Sequence, residues 1–551
     1  MEERRLLLAI ALSLLVLTGY QLLVPPKPAP LAPRASSSSS AALVPSTLGP
    51  RAATPTPPPA PAPAQPANAD ERERRIEVES TDLSIAFTNR GARLLSWRLQ
   101  GFLDERGRPE EMVQASAGAG RPFDLETGDA TLDARLKSAL FRASTENLKV
   151  SAAGGNELRF EYAEGELSAE KIFRFPASGT TARVSAWVKR SGTPLPVRLV
   201  WGPGVSNPTA KEAEVQGYQP PQVVSLGPGG VERKPAEKLT APSLLTEISW
   251  VGIETHYFTA LLVPSAGTGR AEVRAVVVPA ADEGKAKSVP EAALTLGPEG
   301  EALVYVGPKD YRTLARLDHG LEKVVPVGSW IGPIVVPLID LLRLVHRYVG
   351  NYGLSIVVLT VLINLFMSPL RHYSIANGFK MAKLSPEMRA IQERYRKVPA
   401  LDPRRQEMQA EIAALYARHG MNMSTQMLVG CLPILLTMPF LIAFYRVLTL
   451  AVELRGAPFL WIPDLSHRDP LFATPVLLGI SMFVMQKITP TAMDPAQQRV
   501  MMIMPLVLVV MFFAAPAGLN LYWLVSNLCS IVQQGVTLRL VRGAEAREKE
   551  R

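Results

Sequence analysis

Cysteine is nearly missing from this 551-residue chain, which has only Cys431 and Cys529. Both sit in apolar stretches, which excludes a disulfide framework and leaves them as small buried hydrophobes. Histidine is also uncommon, with six residues at positions 256, 319, 346, 372, 419 and 467. None falls in zinc-ligand spacing, and no phosphate-binding loop or nucleophile elbow accompanies them, so no metal, cofactor or catalytic centre is expected. The net charge of +9 invites a nucleic-acid reading. That reading fails for want of an RNA-binding signature or an aromatic-basic platform.

What is abundant is apolar residues, 47% of the chain, gathered in blocks. Met1–Arg5 is short and charged, and Leu6–Val24 is almost continuously apolar. This run is long for a cleaved leader and ends without a convincing A-x-A site, so residues 1–24 are expected to be an N-terminal membrane anchor. Residues 25–69 are dominated by Pro, Ala and Ser, including Pro57-Pro58-Pro59. They cannot bury enough apolar surface to offset ordering and are expected to be a disordered linker.

Period-two alternation follows. Leu83, Ile85 and Phe87 alternate with polar residues, Asn89-Arg90-Gly91 reads as a turn, and Leu95, Trp97 and Leu99 come next. The pattern recurs at Leu158, Phe160 and Tyr162, at Val184, Ala186 and Val188, in 250–262 and in 302–306. It predicts a mostly antiparallel β-sandwich over 70–310. Glu254 and His256 are its most tempting catalytic pair, yet an i,i+2 spacing on a strand gives this juxtaposition without function. Residues 311–350 form a junction whose Leu338, Leu341, Leu342, Val345 and Val349 share one helical face, as an interfacial amphipathic helix would.

The remaining apolar blocks predict a second span at 351–371, a third at 424–450, a fourth at 471–488, a fifth at 500–516 and a sixth at 517–540. Residues 451–470 form an outer loop and 489–499 an inner turn. From Arg371 to Gly420, with Arg371 the first of them, basic residues outnumber acidic ones, as they do in the tail 541–551, which assigns the hairpin at 372–423 and the tail to the cytoplasm together with the N-terminus. Ser385-Pro386 and Asp402-Pro403 each read as an N-cap followed by a helix-starting proline, giving a cytoplasmic helical hairpin. In the second span Thr360 and Asn364 share a face. In the sixth, Trp523, Asn527, Ser530 and Gln534 form a polar stripe. Methionines, among them Met501, Met504 and Met511, give the fifth span a soft apolar surface. Arg446 lies inside the third span, where a cation costs roughly 3 kcal/mol unless it faces water or snorkels.

VGNYGLSIVVLT at 349–360, GCLPILLTMPFLIAFY at 430–445, DPLFATPVLLGISMFVMQK at 469–487 and AGLNLYWLVSNLCSIVQQ at 517–534 resemble the YidC/Oxa/Alb family of membrane protein insertases. The match is to the Gram-negative form. The resemblance implies an α-helical polytopic membrane protein with six spans, a five-helix insertase core and a large periplasmic β-supersandwich, in the bacterial inner membrane. It implies insertion of nascent inner-membrane proteins, alone or with the Sec translocon, with the ribosome and membrane lipids as further partners. It also implies a hydrophilic groove carrying a positive charge, and an apolar slide for clients on the third and fifth spans. The family's groove arginine usually stands where this chain has Asn364, five residues before Pro369-Leu370. Arg446 follows Tyr445, where the Gram-negative pattern commonly has a second tyrosine. The expectation is therefore a relocated cation, Arg446, sharing the groove with Thr360, Asn364, Tyr445, Asn527, Ser530, Gln534 and Gln426. Phe440, Phe444, Met501, Met504 and Met511 would form the slide. A solute transporter or channel is the alternative, but it predicts repeated halves that the sequence lacks.

Overall fold

The computed structural model describes residues 68–549, apart from 115–119, 215–217, 266, 280–286, 298–299, 329, 397, 400–401, 420–437 and 490–494. The expected anchor at 1–24, nearly all of the linker, and Gln426 and Cys431 therefore lie outside the described residues. Residues 64–492 and 504–551 form one compact unit, and every contact below is internal to it.

From Arg75 to Pro308 the alternating segments form three sheets of five, ten and five strands. In the largest, Trp250–Glu254, Phe258–Pro264, Glu301–Pro308, Thr181–Arg190, Leu167–Arg174 and Glu157–Glu164 are successive antiparallel neighbours. Among the strand pairs, Arg75–Glu79 with Asn147–Lys149 is parallel. The alternating apolar residues meet in one core, where Trp97, Trp201, Phe87, Phe123, Phe160 and Phe173 are fully buried. Phe87 lies 4.7 Å from Phe173, and Phe123 lies 5.5 Å from Trp201, edge to face.

The turn read at Asn89-Arg90-Gly91 is present, with Gly91 at φ 69°, where a Cβ would be strained. The phase of the next strand differs from the expectation. A bulge between Ala86 and Phe87 shifts the register, so Leu94 is buried and Leu95 only half-buried, while Trp97 and Leu99 keep their places. Lys171 is buried here, and its Nζ donates to the carbonyls of Gly91 at 2.7 Å, Ala92 at 3.1 Å and Phe123 at 2.6 Å. Three carbonyls match the three N–H groups of an ammonium, which is how an apolar core accommodates it.

The helical part begins with α1 (Gly332–Val349) and α2 (Tyr352–Arg394). The amphipathic face expected on α1 is buried at Leu338, Leu342 and Val345. Its polar face is tied back to the β-rich part, Arg343 to Asp310 at 2.8 Å and Asp340 to Arg312. Asn351 caps α2 by accepting from the Leu354 N–H.

The second span and the hairpin's first arm are one 43-residue helix, which corrects the helix start expected at Ser385-Pro386. Pro369 and Pro386 both lie inside it. A proline within a helix loses one hydrogen bond, but Leu384, Met388 and Ile391 pack against Met408, Ile412, Leu415 and Tyr416 of α3 (Arg404–Arg418). That packing carries the helix through. Asp402 does act at the start of α3, where its carboxylate accepts from the Arg404 N–H at 2.9 Å.

Next come α4 (Met438–Leu450), α5 (Ala473–Ile488), α6 (Pro495–Phe512) and α7 (Ala517–Lys549). Among the described residues, α2 alone contains a stretch long and apolar enough by itself to cross a membrane, and the described parts of three others are shorter apolar helices. Helix α7 packs against both α2 and α5.

Candidate functional site

The α2–α7 contact is apolar near Ile356 and becomes polar in its middle. Thr360 Oγ1 donates to the Ile356 carbonyl at 2.6 Å, and Asn364 Nδ2 donates to the Thr360 carbonyl at 2.8 Å. The asparagine amide is thereby fixed with its oxygen free. That Oδ1 accepts from Arg371 Nη1 at 2.5 Å and from Ser526 Oγ of α7 at 3.4 Å. The same Arg371 nitrogen donates to Ser530 Oγ at 2.8 Å. Farther along, Gln533 Nε2 donates to the Ser368 carbonyl at 2.6 Å, and His372 Nδ1 pairs with Thr537 Oγ1 at 2.9 Å.

Among the described residues, Arg371 has only neutral acceptors. Among the described residues no carboxylate lies within ion-pair distance of it, although its side chain is half-buried. A guanidinium held by an amide oxygen and a hydroxyl keeps most of its five donors for a carboxylate, which it binds more strongly than a neutral group.

Arg446 is half-buried on α4, and its guanidinium has no hydrogen-bond or ion-pair partner among the described residues. Asn364, its expected neighbour in a shared groove, is engaged by Arg371 instead. Arg371 stands seven residues after Asn364, two turns along the same helical face. Counting it with the cytoplasmic loop's basic residues concealed that spacing.

The stripe read on the sixth span is divided. Ser526, Ser530, Gln533 and Thr537, at i, i+4, i+7 and i+11, face α2, whereas Asn527 and Gln534 face α5. Asn527 donates to Ser481 Oγ at 3.0 Å, and Gln534 donates to the Ile488 carbonyl at 3.0 Å. Those two serve helix-to-helix bonding. Trp523 packs edge-on against Phe512, ring centres 4.6 Å apart.

Tyr445 lies apart from the polar cluster, in an apolar hollow of about 230 Å³ with Leu441, Ile442, Met511, Phe512 and Trp523. Of the residues expected on the slide, Met501, Met504 and Met511 are more than a third exposed and Phe440 is half-buried. Phe444 corrects the expectation. It is fully buried, stacked on Tyr522 with ring centres 4.1 Å apart, because its side of α4 faces α7.

In the β-rich part Glu254 and His256 are buried and separately engaged. Glu254 accepts from Arg233 at 2.8 Å and Gln222 at 2.8 Å, while His256 Nδ1 accepts from the Gln219 N–H at 3.3 Å. Burial, and then the charge of Lys309, pushes His256 down to about 4, so the ring is neutral.

Two family models match the chain, one described as YidC periplasmic domain over residues 75–341 and one as 60Kd inner membrane protein over 344–544. A membrane protein insertase YidC of Geobacter metallireducens is 31% identical, with 99% of this chain and 100% of the relative covered. The Syntrophus aciditrophicus protein of the same name is 30% identical over 97% of this chain and 98% of its own. A crystal structure titled as an active YidC insertase with its first transmembrane domain resolved is 18% identical, covers 87% of this chain and 95% of its own, and superposes with a TM-score of 0.34.

Proposed function

We propose that this chain, which belongs to the YidC family of membrane protein insertases, inserts nascent inner-membrane proteins through the polar α2–α7 contact, with Arg371 as the groove cation. The family is one of insertases, not of enzymes, and the relatives named above carry the insertase name, which does not favour the transporter reading. The observation that carries the assignment is the Arg371 guanidinium, held by Asn364 and Ser530 with no carboxylate beside it among the described residues.

A client's acidic residue that must cross the bilayer meets a barrier of roughly 3 kcal/mol for its charge alone. Arg371 offers that carboxylate a partner part-way in, and Asn364, Ser526 and Ser530 offer hydrogen bonds in place of water. Each ~1.4 kcal/mol removed from the barrier speeds the step about tenfold. Tyr445 and Met511, with Met504 and Phe440, present apolar surface along which the client's hydrophobic segment leaves for lipid. The bilayer then supplies the driving force as that segment is buried. Six spans, cytoplasmic termini, a cytoplasmic α2–α3 hairpin, and ribosome and Sec translocon as partners complete this reading. The charge bias of 372–423 supports the hairpin's side.

The test is reconstitution of the full chain into vesicles with two single-span clients that differ in having an acidic or a neutral translocated tail. R371Q is expected to slow the acidic-tail client by about fivefold or more and to leave the neutral one at the parental rate, with R371K recovering most of the loss. Equal rates for both clients in R371Q overturn the assignment.

A further inference from the structure

We infer that Arg455 is a positioning residue for insertion: by clamping the 451–470 loop onto the β-rich domain, it fixes the ends of α2 and α7 and hence the spacing of the polar contact between them. This rests on the insertase reading above.

The loop between α4 and α5 is held from one side by the β-rich domain. Val452 is buried in that domain's core cluster. The Arg455 guanidinium reaches Glu110 at 2.8 Å and Glu212 at 2.5 Å, donates to the Leu103 carbonyl at 3.4 Å and lies 5.5 Å from the Phe258 ring centre. All three charged side chains are at least nine-tenths buried. Two buried carboxylates on one arginine leave a negative excess, and Glu110 is pushed upward by burial against the lowering effect of Arg455. Such a group is costly to leave unpaired, so the arginine is strongly held.

From its other side the same loop holds the helices. Asn351, the cap of α2, donates its Nδ2 to the Pro458 carbonyl at 3.0 Å. Phe459 packs against Gly353 so closely that a Cβ there would lie 2.2 Å from its ring. The first two N–H groups of α7 are taken by this loop, Ala517 by the His467 carbonyl at 2.7 Å and Gly518 by the Leu465 carbonyl at 2.9 Å. Helix α2 carries Asn364 and Arg371, and α7 carries Ser526 and Ser530. One strap thus sets both walls of the polar contact, and one buried arginine secures it to the β-rich domain.

The experiment compares full-length R455M, the charge-free triple variant R455M/E110Q/E212Q and the milder E212Q in vesicles. It reads insertion of the acidic-tail and neutral-tail clients and amide hydrogen exchange at 352–356, 517–521 and 258–264. In R455M and the triple variant, exchange at both helix starts is expected to quicken about tenfold while strand 258–264 stays protected. Insertion of both clients falls together by about fivefold or more, unlike the client-selective loss in R371Q. E212Q moves the same readouts in the same direction by less. If R455M does not fold, the triple variant, which leaves no unpaired buried charge, decides. Parental exchange at both helix starts in the triple variant and E212Q, or parental insertion by a folded triple variant, overturns the proposal. Failure of the parent itself to insert either client would defeat the insertase reading, and the exchange data would still decide whether the clamp exists.

Discussion

Lys171 shows how much one buried side chain can hold. Its three bonds tie the Gly91-Ala92 turn to the carbonyl of Phe123 within a buried site. Lys171→Met keeps the length and removes all three donors, so it is expected to cost about 3 kcal/mol or more, measured by denaturant unfolding. His467 titrates within reach of ordinary conditions. Its hydrogen bond to Asp464, 2.8 Å long, raises it above its usual 6.5 against the opposing effect of burial. A base raised on folding binds its proton more tightly in the native state, so its stabilisation is complete below 6.5 and fades as pH climbs through the native value. The melting temperature is therefore expected to fall as pH rises above 6.5, and His467→Gln should flatten that slope. Thr360 and Asn364 were legible as a shared face because helical spacing alone places them. Arg371 was not, since its side chain turns back along its own helix to a partner two turns away. Arg446 was singled out because a charge in an apolar run is conspicuous, but sequence does not show where a long side chain finds acceptors. Arg446→Gln is expected to leave the acidic-to-neutral client ratio at its parental value, in contrast to R371Q, when both are measured in the same vesicles.

At the scale of elements, apolar periodicity located some of the strands, missed others such as Gln222–Gly227, Gly269–Val278 and Lys287–Thr295, and misjudged the joins. The bulge at Ala86 and Phe87 moved one strand's buried residue from position 95 to 94, a shift that alternation cannot announce. Ser385-Pro386 has the composition of a helix start, yet long-range packing on α3 overrides it. That packing gives a direct expectation. Ile412→Ala opens a void between the two arms and should destabilise the hairpin by about 2–4 kcal/mol, seen as faster amide exchange in 384–394 and 404–418 with 352–364 unaffected. The α7 stripe was read as one surface because a helical wheel gives directions and no neighbours. With α2 on one side and α5 on the other, residues three apart such as Asn527 and Ser530 serve different contacts.

For the whole molecule, the sequence conveyed a β-rich domain followed by a helical membrane part, and the two family matches meet between 341 and 344, inside the junction expected at 311–350. What it could not convey is how the two are fastened, because Glu110 and Glu212 lie more than two hundred residues before Arg455 and no local pattern links them. The unbroken α2 has a mechanical consequence. At 1.5 Å per residue its 43 residues span about 65 Å, roughly twice the thickness of a bilayer's hydrocarbon. No hinge of irregular chain separates Asn364 from Met388, so a load applied to the hairpin is expected to tilt the whole rod. Whatever leans on the far arm would thereby shift the wall that carries Arg371, and the lever needs no second moving part.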